Sequence, residues 1–499
     1  MIGLLAIAAA LPLSWCGQDP GSPAPRVTVG SKKFTESVLL GEIAVRLLED
    51  AGMETRHRRE LGGTRILWNA LLAGEIDVYA EYTGTLLHEI LADESLAGED
   101  LAAALEARGL RASRPLGFEN SYALGMRAAQ ARELGVASIG DLRAHPGLRF
   151  GFGNEFLDRE DGWPALRAAY RLPQESVGGL DHDLAYRALD AGDIDVMDLY
   201  TTDAEIVHYD LLPLTDDRGH FPRYEAVWIW RADLVDRAPG AVAALRRLEG
   251  RLDSGTMRAM NARVKLDRDP DAQVAAEYLA AELGLAGEWT LEPLAARLLQ
   301  RTLEHLLLVA AALAAAVLAA VPLGVLAARR PRAGQVVLAL AGVMQTVPSL
   351  ALLALLIPML GIGALPAIVA LFLYGLLPIV RNTHAGLVGV PAELRESAEA
   401  IGMSARARLL RIDLPLASPS ILAGIQTSAV IAVGVATLGA LIDSGGYGQP
   451  ILTGIRLDDT ALILEGALPA AAMAIAVQIL FGLLERVLVP RGIRLAAVR

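Results

Sequence analysis

Cysteine is almost absent: Cys16 stands alone, which rules out an intrachain disulfide and any cysteine-based zinc or iron–sulfur site. Lysine is nearly as scarce, at Lys32, Lys33 and Lys265, so arginine carries the positive charge. That charge is too small for a nucleic-acid partner, because the formal net charge of -12 opposes the clustered basic surface that phosphate binding requires. There is no GxxxxGK followed by Ser or Thr, hence no loop of that kind to cradle the phosphates of ATP. HExxH and GxSxG are missing too, and nothing proposes a catalytic residue, a metal or a cofactor. Asp181-His182-Asp183 is the nearest thing to a ligand cluster, and it reads as a loop or interlobe hydrogen-bonding segment.

Apolar residues, by contrast, are in excess and segregated. The chain has 499 residues, 53% hydrophobic and 20% charged. Residues 26 to about 300 read as a soluble module and hold every Trp except Trp15. Beyond His305 come uncharged apolar runs at Leu306 to Ala328, Gln335 to Ile357, Ala364 to Val380, Leu416 to Ile442 and Gly466 to Leu484. Each approaches the ~20 residues a helix needs to cross ~30 Å of hydrocarbon, so five membrane spans are expected.

Loop charge sets the expected orientation, since Arg near span ends stays on the cytoplasmic side. Arg329, Arg330 and Arg332 follow the first span, and Arg381, Arg395, Arg406, Arg408 and Arg411 the third. The loop Asp443 to Glu465 holds Arg456 alone against Asp443, Asp458, Asp459 and Glu465. This puts the soluble module outside and the C-terminus inside. Residues 1–25 contain an apolar run, Ile2 to Leu13, and a Gly/Ser/Pro-rich stretch, a signal or anchor segment with linker that lacks a basic start.

The module reads as α/β. Val27 to Val29 is a strand leading through Gly30 to Lys33 into a helix with Leu40, Ala44 and Leu48 on one face; a second unit is expected at Leu148 to Phe152 followed by a helix over Asn154 to Tyr170. Ala70-Leu71-Leu72-Ala73-Gly74-Glu75-Ile76-Asp77-Val78 recurs as Ala188-Leu189-Asp190-Ala191-Gly192-Asp193-Ile194-Asp195-Val196, and each copy leads into a Tyr-Thr pair, Tyr82-Thr83 or Tyr200-Thr201. The echo predicts two lobes facing a cleft, with ligands at the strand ends. Tyr82, Tyr200, Tyr122 and Tyr224 are candidates for an aromatic cage around a quaternary ammonium, at ~0.5–2 kcal/mol per cation–π contact.

Gly62-Gly63-Thr64, the run Ala70 to Thr85 with its AEYTGT end, Asn120 to Leu124 (NSYAL) and Leu199 to Asp203 (LYTTD) resemble the substrate-binding proteins of osmoprotectant importers, the glycine betaine, carnitine and choline binders. The resemblance implies a two-lobed type II (Venus-flytrap) binding protein over 26–290, with lobe 1 at about 26–115 and 215–290 and lobe 2 at about 116–214. It implies the cage Tyr82, Tyr122, Tyr200 and Tyr224, with Asn120 and Thr64 reaching the ligand carboxylate and Ser31 and Lys32 as further candidates.

Residues 300–499 are similar to an ABC importer permease, an all-α domain. Glu396-Ser397-Ala398, Gly402, Ile412, Leu414 and Pro415 fit the spacing of the EAA loop, here 391–415. Leu394, Ala398 and Ile401 form an apolar stripe and Gly402 allows a sharp turn, so the elbow can insert into a groove on another protein. By resemblance, Glu396, Ala398, Gly402, Leu414 and Pro415 couple to separate ABC ATPase subunits, and the permease acts as a homodimer in the bacterial inner membrane. Gln345, before Val347-Pro348 in the second span, is expected to line the path. The expected function is a fused binding and permease subunit of an ATP-driven importer for glycine betaine or a relative. The alternatives are an importer of another betaine-like solute such as ergothioneine, and a membrane sensor that binds without transporting; the elbow spacing argues against the sensor.

Overall fold

The structure is a computed structural model that describes residues 25–91, 101–159, 162–285 and 293–489. The expected signal or anchor segment lies outside these residues, Pro25 excepted. Ten strands are described: β1 Arg26–Gly30, β2 Glu54–Arg58, β3 Val78–Tyr82, β4 Leu110–Ala112, β5 Tyr122–Arg127, β6 Phe150–Gly153, β7 Val177–Leu180, β8 Met197–Tyr200, β9 Leu211–Pro213 and β10 Ala226–Arg231. One sheet has the order β2-β1-β3-β10-β4, parallel except for β10. A second has the order β8-β5-β9, beside the parallel pair β6-β7, which a Phe150 to Val196 bridge ties to it. The chain crosses between sheets twice, and the crossing strands meet: the Asn120 amide donates to the Tyr224 carbonyl at 3.0 Å and the Ala226 amide to the Phe118 carbonyl at 3.1 Å.

The sequence echo is a repeat in three dimensions. Asp77 accepts the Thr28 amide through Oδ2 at 2.8 Å, and Asp195 accepts the Arg149 amide at 2.9 Å. In both copies the aspartate's own amide returns a bond to the same partner's carbonyl, at 2.8 Å. Gly74 and Gly192 end the preceding helices at φ +76° and +80°, where a Cβ is disfavoured. Arg231 and Arg127 each donate to the carbonyl of an equivalent helix residue, Leu71 and Leu189. Tyr82 and Tyr200 therefore finish equivalent strands.

One expectation for the module is corrected. The helix foreseen over Asn154 to Tyr170 is two, Asn154–Asp158 and Trp163–Tyr170. Arg159 leaves the first with extended φ and ψ of -72° and 143°. Gly162 makes the break possible, since a Cβ there would lie 2.0 Å from the Phe156 carbonyl oxygen.

The permease half is helical. Among the described residues, four helices are long and apolar enough to cross a membrane: Leu294–Arg329, Ala364–Val388, Ala405–Ile442 and Thr460–Leu488. The second expected span, Gln335 to Ile357, is broken, its halves Pro331–Thr346 and Ser349–Leu360 meeting at 97°. Pro348 has no amide proton and disfavours helix at Val347, so the helix stops at Thr346. Small residues bring the long helices close, as membrane packing requires. A Cβ on Gly324 would lie 2.5 Å from Thr383 Cβ, and one on Gly424 2.7 Å from the Pro378 carbonyl oxygen.

The two halves are docked through charged groups. Arg456 is buried and donates to Glu60 Oε1 at 2.5 Å, Thr35 Oγ1 at 3.1 Å and Asp271 Oδ2 at 3.3 Å. Asp443 accepts from Arg56 at 3.1 Å, and Glu75 accepts the Ile362 amide at 2.8 Å. These contacts lie in the loops poor in Arg, whereas Arg329 donates to the carbonyl of Ala405 in the basic elbow at 3.1 Å. The soluble module thus caps the acidic end of the bundle and the elbow belongs to the basic end.

Candidate functional site

The segment Tyr82-Thr83-Gly84-Thr85 builds one wall of the cleft. Thr83 Oγ1 donates to the Arg223 carbonyl and accepts the Glu225 amide, both at 3.1 Å, which pins the segment bearing Tyr224. Gly84 leaves room for that ring, since a Cβ would lie 2.6 Å from Tyr224 Cδ1. Tyr122 opens β5 directly opposite Tyr200 in the antiparallel register, and the Ser121 amide donates to Thr201 Oγ1 at 3.1 Å.

All four expected tyrosines line one small cavity of about 70 Å³, together with Lys32, Phe34, Thr64, Thr85, Asn120 and Arg159 among others. Tyr122 lies 5.0 Å from Tyr200 and 5.7 Å from Tyr224, ring centre to ring centre. Phe34 stacks between Tyr82 and Tyr200 at 6.4 and 6.3 Å. Burial pushes the Tyr122 and Tyr200 phenols up, so the rings stay neutral and offer uncharged faces.

Three cations line this cavity, Lys33 among them, and two lie over tyrosine rings. Lys32 Nζ lies 5.6 Å from the Tyr82 ring centre and is held by Glu81 Oε1 at 2.5 Å and Thr64 Oγ1 at 3.0 Å. The Arg159 guanidinium lies 5.4 Å from the Tyr122 ring centre and pairs with Glu89 at 2.7 Å. The site therefore combines π faces for an onium group with fixed positive charge for an anionic end.

Glu36 organises the cleft. Its buried carboxylate accepts from the Tyr82 hydroxyl, from Asn120 Nδ2 at 2.9 Å, from Thr202 Oγ1 at 2.5 Å and from Asn261 Nδ2 at 3.1 Å. One side chain so joins both sheets and a crossing strand. Burial raises its pKa, and the four donors work against that.

Of the other expected residues, Lys32, Asn120 and Thr64 line the cavity and Ser31 does not. Asn120 lines the cavity, but its amide donor is committed to Glu36. Thr64 lines it with its hydroxyl already accepting from Lys32. Ser31 is fully buried, is not among the lining residues and pairs with His57 Nε2 at 2.9 Å, so it does not face a ligand there. Asp181-His182-Asp183 does not bridge the lobes through His182: that ring sits between Asp198 and Asp203 of its own lobe, at 3.4 and 3.2 Å. Burial alone would lower the His182 pKa, but the bonds and charges of those carboxylates hold it well above its usual value.

The pair behind Ser31 gives a pH prediction. Burial works to raise the Glu42 carboxyl, and the charge of Arg59 with the hydrogen bond and charge of His57 outweighs it, holding the pKa at about 2 against an ordinary 4.5. A depressed carboxylate stabilises the fold above its unfolded value, and that contribution, about 3 kcal/mol, is lost as pH falls from about 4.5 toward 2. Acid titration of the whole chain followed by Trp fluorescence reads this module, because no Trp lies beyond Trp289. Wild type is expected to lose stability through that window, and Glu42→Gln to be less stable at pH 7 with a flatter acid limb.

In the elbow, Ala392–Ala400 is helical, Gly402 turns at φ +75° and a second helix begins at Ala405. Ala398 is buried while Leu394 and Ile401 are exposed, Ile401 by 76%. Glu396 is exposed, and Leu414-Pro415 starts the next helix, Leu414–Ala436. Gln345 is half-buried one residue before that helix of the broken span ends.

Comparison with known proteins turns this geometry into a family. Residues 25–281 match the substrate-binding domain of ABC-type glycine betaine transport systems. The chain belongs to that family. Residues 320–494 match the inner membrane component of binding-protein-dependent transport systems, so this family member carries its permease in the same chain. The permease half is 43% identical over 197 residues to the choline transport system permease protein OpuBB of Bacillus subtilis, covering 40% of this chain and 91% of that one. It is 44% identical over 198 residues to the osmoprotectant import permease protein OsmW of Salmonella typhimurium, covering 39% and 92%. Among solved structures, a glycine betaine/carnitine/choline ABC transporter is similar at 24% identity over 51% of this chain and 98% of that one, with a TM-score of 0.45. The protein is an osmoprotectant importer component in which binding domain and permease are fused.

Four residues in and around the cleft escape sequence reasoning: Phe34, Glu36, Glu81 and Arg159. Phe34 directly follows the Lys32-Lys33 pair and Glu36 lies two residues further on, so nearness to that pair is the one signal they carry. For Arg159 there was no signal, because its position depends on the helix break.

Proposed function

We propose that this chain captures a small zwitterionic quaternary ammonium solute, glycine betaine or a close relative, and passes it inward through a pore formed by two copies of its permease half. The observation that carries the reading is the cavity in which Tyr82, Tyr122, Tyr200 and Tyr224 meet Lys32 and Arg159. Aromatic faces suit the trimethylammonium end without a counter-charge, and the two cations suit a carboxylate. Lys32, Arg159 and Thr85 are the residues we assign to that carboxylate, in place of Ser31 and Asn120. The small cavity favours a compact solute over one with a bulky ring such as ergothioneine.

The binding domain works outside the membrane, since it caps the bundle end whose loops are acidic. ATPase subunits dock at the elbow, where exposed Leu394 and Ile401 give an apolar stripe to insert. Gln345, beside the break at Pro348, faces the path, because membrane polar groups favour a pore or bundle over lipid.

Calorimetric titration of the whole chain in lipid nanodiscs tests the carboxylate assignment. Arg159→Gln removes a charge-assisted hydrogen bond of about 1.5–3 kcal/mol, so glycine betaine should bind about 10- to 100-fold more weakly. Choline, which has no carboxylate, should change by less than about threefold. Equal losses for both ligands, or for neither, would reject a carboxylate held at Arg159.

A further inference from the structure

Lys32, Lys33 and Arg159 line the aromatic cavity, and Glu155 is the one carboxylate among its described lining residues. Two of those cations are already neutralised from behind, Lys32 by Glu81 and Arg159 by Glu89. Lys33 and Glu155 are different. Both are exposed, and neither side chain has a hydrogen-bond or ion-pair partner among the described residues. The chain itself offers Glu155 a partner: Arg159 lies four residues on, a spacing at which Glu and Arg pair on a helix, yet the guanidinium turns to Glu89 instead. Burial is the main cause of the raised Tyr122 and Tyr200 phenols, and the charge of Glu155 adds to it at both, so its field reaches both rings. Glu155 and Lys33 also line the larger cavity of about 510 Å³ that the binding domain shares with the permease, so both stand at the mouth of the cage.

Resting on the function proposed above, we infer that Glu155 sets the charge selectivity of the cage, admitting onium cations that lack a carboxylate, such as choline, alongside zwitterions such as glycine betaine. Without Glu155 the lining would keep the unmatched positive charge of Lys33, which repels a monocation. With it the two free charges cancel, and the tyrosine faces act on the onium group with no net free charge around them. One fixed charge acts differently on the two solute classes. It acts on the whole charge of choline, whereas in glycine betaine its attraction for the nitrogen is offset by its repulsion of the carboxylate. Lys32 and Arg159 thus hold the anionic end of a zwitterion, and Glu155 keeps that arrangement from excluding cations. Because Glu155 is exposed, its effect is that of a solvated charge, modest per unit charge and screened by salt.

The test compares choline and glycine betaine by calorimetric titration of the whole chain in nanodiscs of phosphatidylethanolamine and phosphatidylglycerol, which bring no choline headgroup. In Glu155→Gln the ratio of the choline to the glycine betaine dissociation constant should rise about fivefold, the upper end of what an exposed charge contributes. Glu155→Lys changes the charge by two units, so the ratio should rise about 25-fold, while Glu155→Asp should keep it within about twofold of wild type. Raising sodium chloride from about 20 mM to about 500 mM should reduce both rises by at least about half. A structural role alone would weaken both solutes together and leave the ratio unmoved. A ratio unmoved in Glu155→Gln and Glu155→Lys, or moved equally at both salt concentrations, overturns the charge selectivity, as does a wild type that binds glycine betaine and not choline. Wild type that binds neither solute overturns the proposed solute class and this role together. Wild type that binds both, with an unmoved ratio in the variants, overturns the role of Glu155 alone.

Discussion

Replacing Tyr122 and Tyr200 together by alanine should weaken glycine betaine binding by about 100-fold, whereas replacing both by phenylalanine should cost less than about fivefold. The two rings lie 5.0 Å apart and line the cavity, with a hydroxyl pair at 3.3 Å between them. At ~0.5–2 kcal/mol for each cation–π contact, losing two faces removes about 3 kcal/mol, and every 1.4 kcal/mol is tenfold in affinity. Phenylalanine keeps both faces and deletes only the hydroxyls, so the pair of double variants separates ring from hydrogen bond. The alanine variant also leaves a hole beside Phe156 and Tyr224, whose rings touch Tyr122. Trp fluorescence and melting of both variants must therefore accompany the titration. A phenylalanine variant as weak as the alanine one would assign the binding to the hydroxyls.

Arg456→Ala should abolish most transport while sparing capture. This arginine belongs to the permease half yet bonds Glu60, Asp271 and Thr35 of the binding domain, and its side chain is only 5% exposed. Removing one partner of a buried charge set typically costs 3–5 kcal/mol, mostly because the remaining charges are left unpaired. Here Glu60 and Asp271 would be left facing the gap, and undocking lets water reach them. Thr35 is adjacent to Glu36, whose four bonds gather the cleft, so docking and cleft geometry meet within one turn of a helix. Cellular uptake of radiolabelled glycine betaine should fall at least about 30-fold, with the dissociation constant of the purified chain within about threefold of wild type. Wild-type uptake by Arg456→Ala would remove this contact from the transport cycle.

Much of the fold could be read from residue pattern because the signals were local. The uncharged runs mark the membrane half, and the repeated Gly-x-Ile-Asp-Val punctuates helix, turn and strand at a fixed spacing that both lobes obey. Tyr82 and Tyr200 were placed together through that repeat, since equivalent strand ends in facing lobes must converge. What escaped was long-range or depended on backbone breaks. Arg159 enters the cavity only because Gly162 lets the chain fold back on Phe156, and no periodicity announces that. Glu36 is one of 57 acidic residues, and its role comes from donors at positions 82, 120, 202 and 261. Ser31 looked available at the end of β1, and His57, on the neighbouring β2, takes its hydroxyl. The 97° bend followed from Pro348 in kind but not in size.

The most direct measurement is a structure of the whole chain determined with glycine betaine at saturation. The ligand nitrogen should lie within about 6 Å of the ring centres of Tyr82, Tyr122, Tyr200 and Tyr224, and its carboxylate in hydrogen-bond reach of Lys32 and Arg159. Glycine betaine bound away from these rings, or seated among them with its carboxylate turned from both cations, would contradict the proposed site.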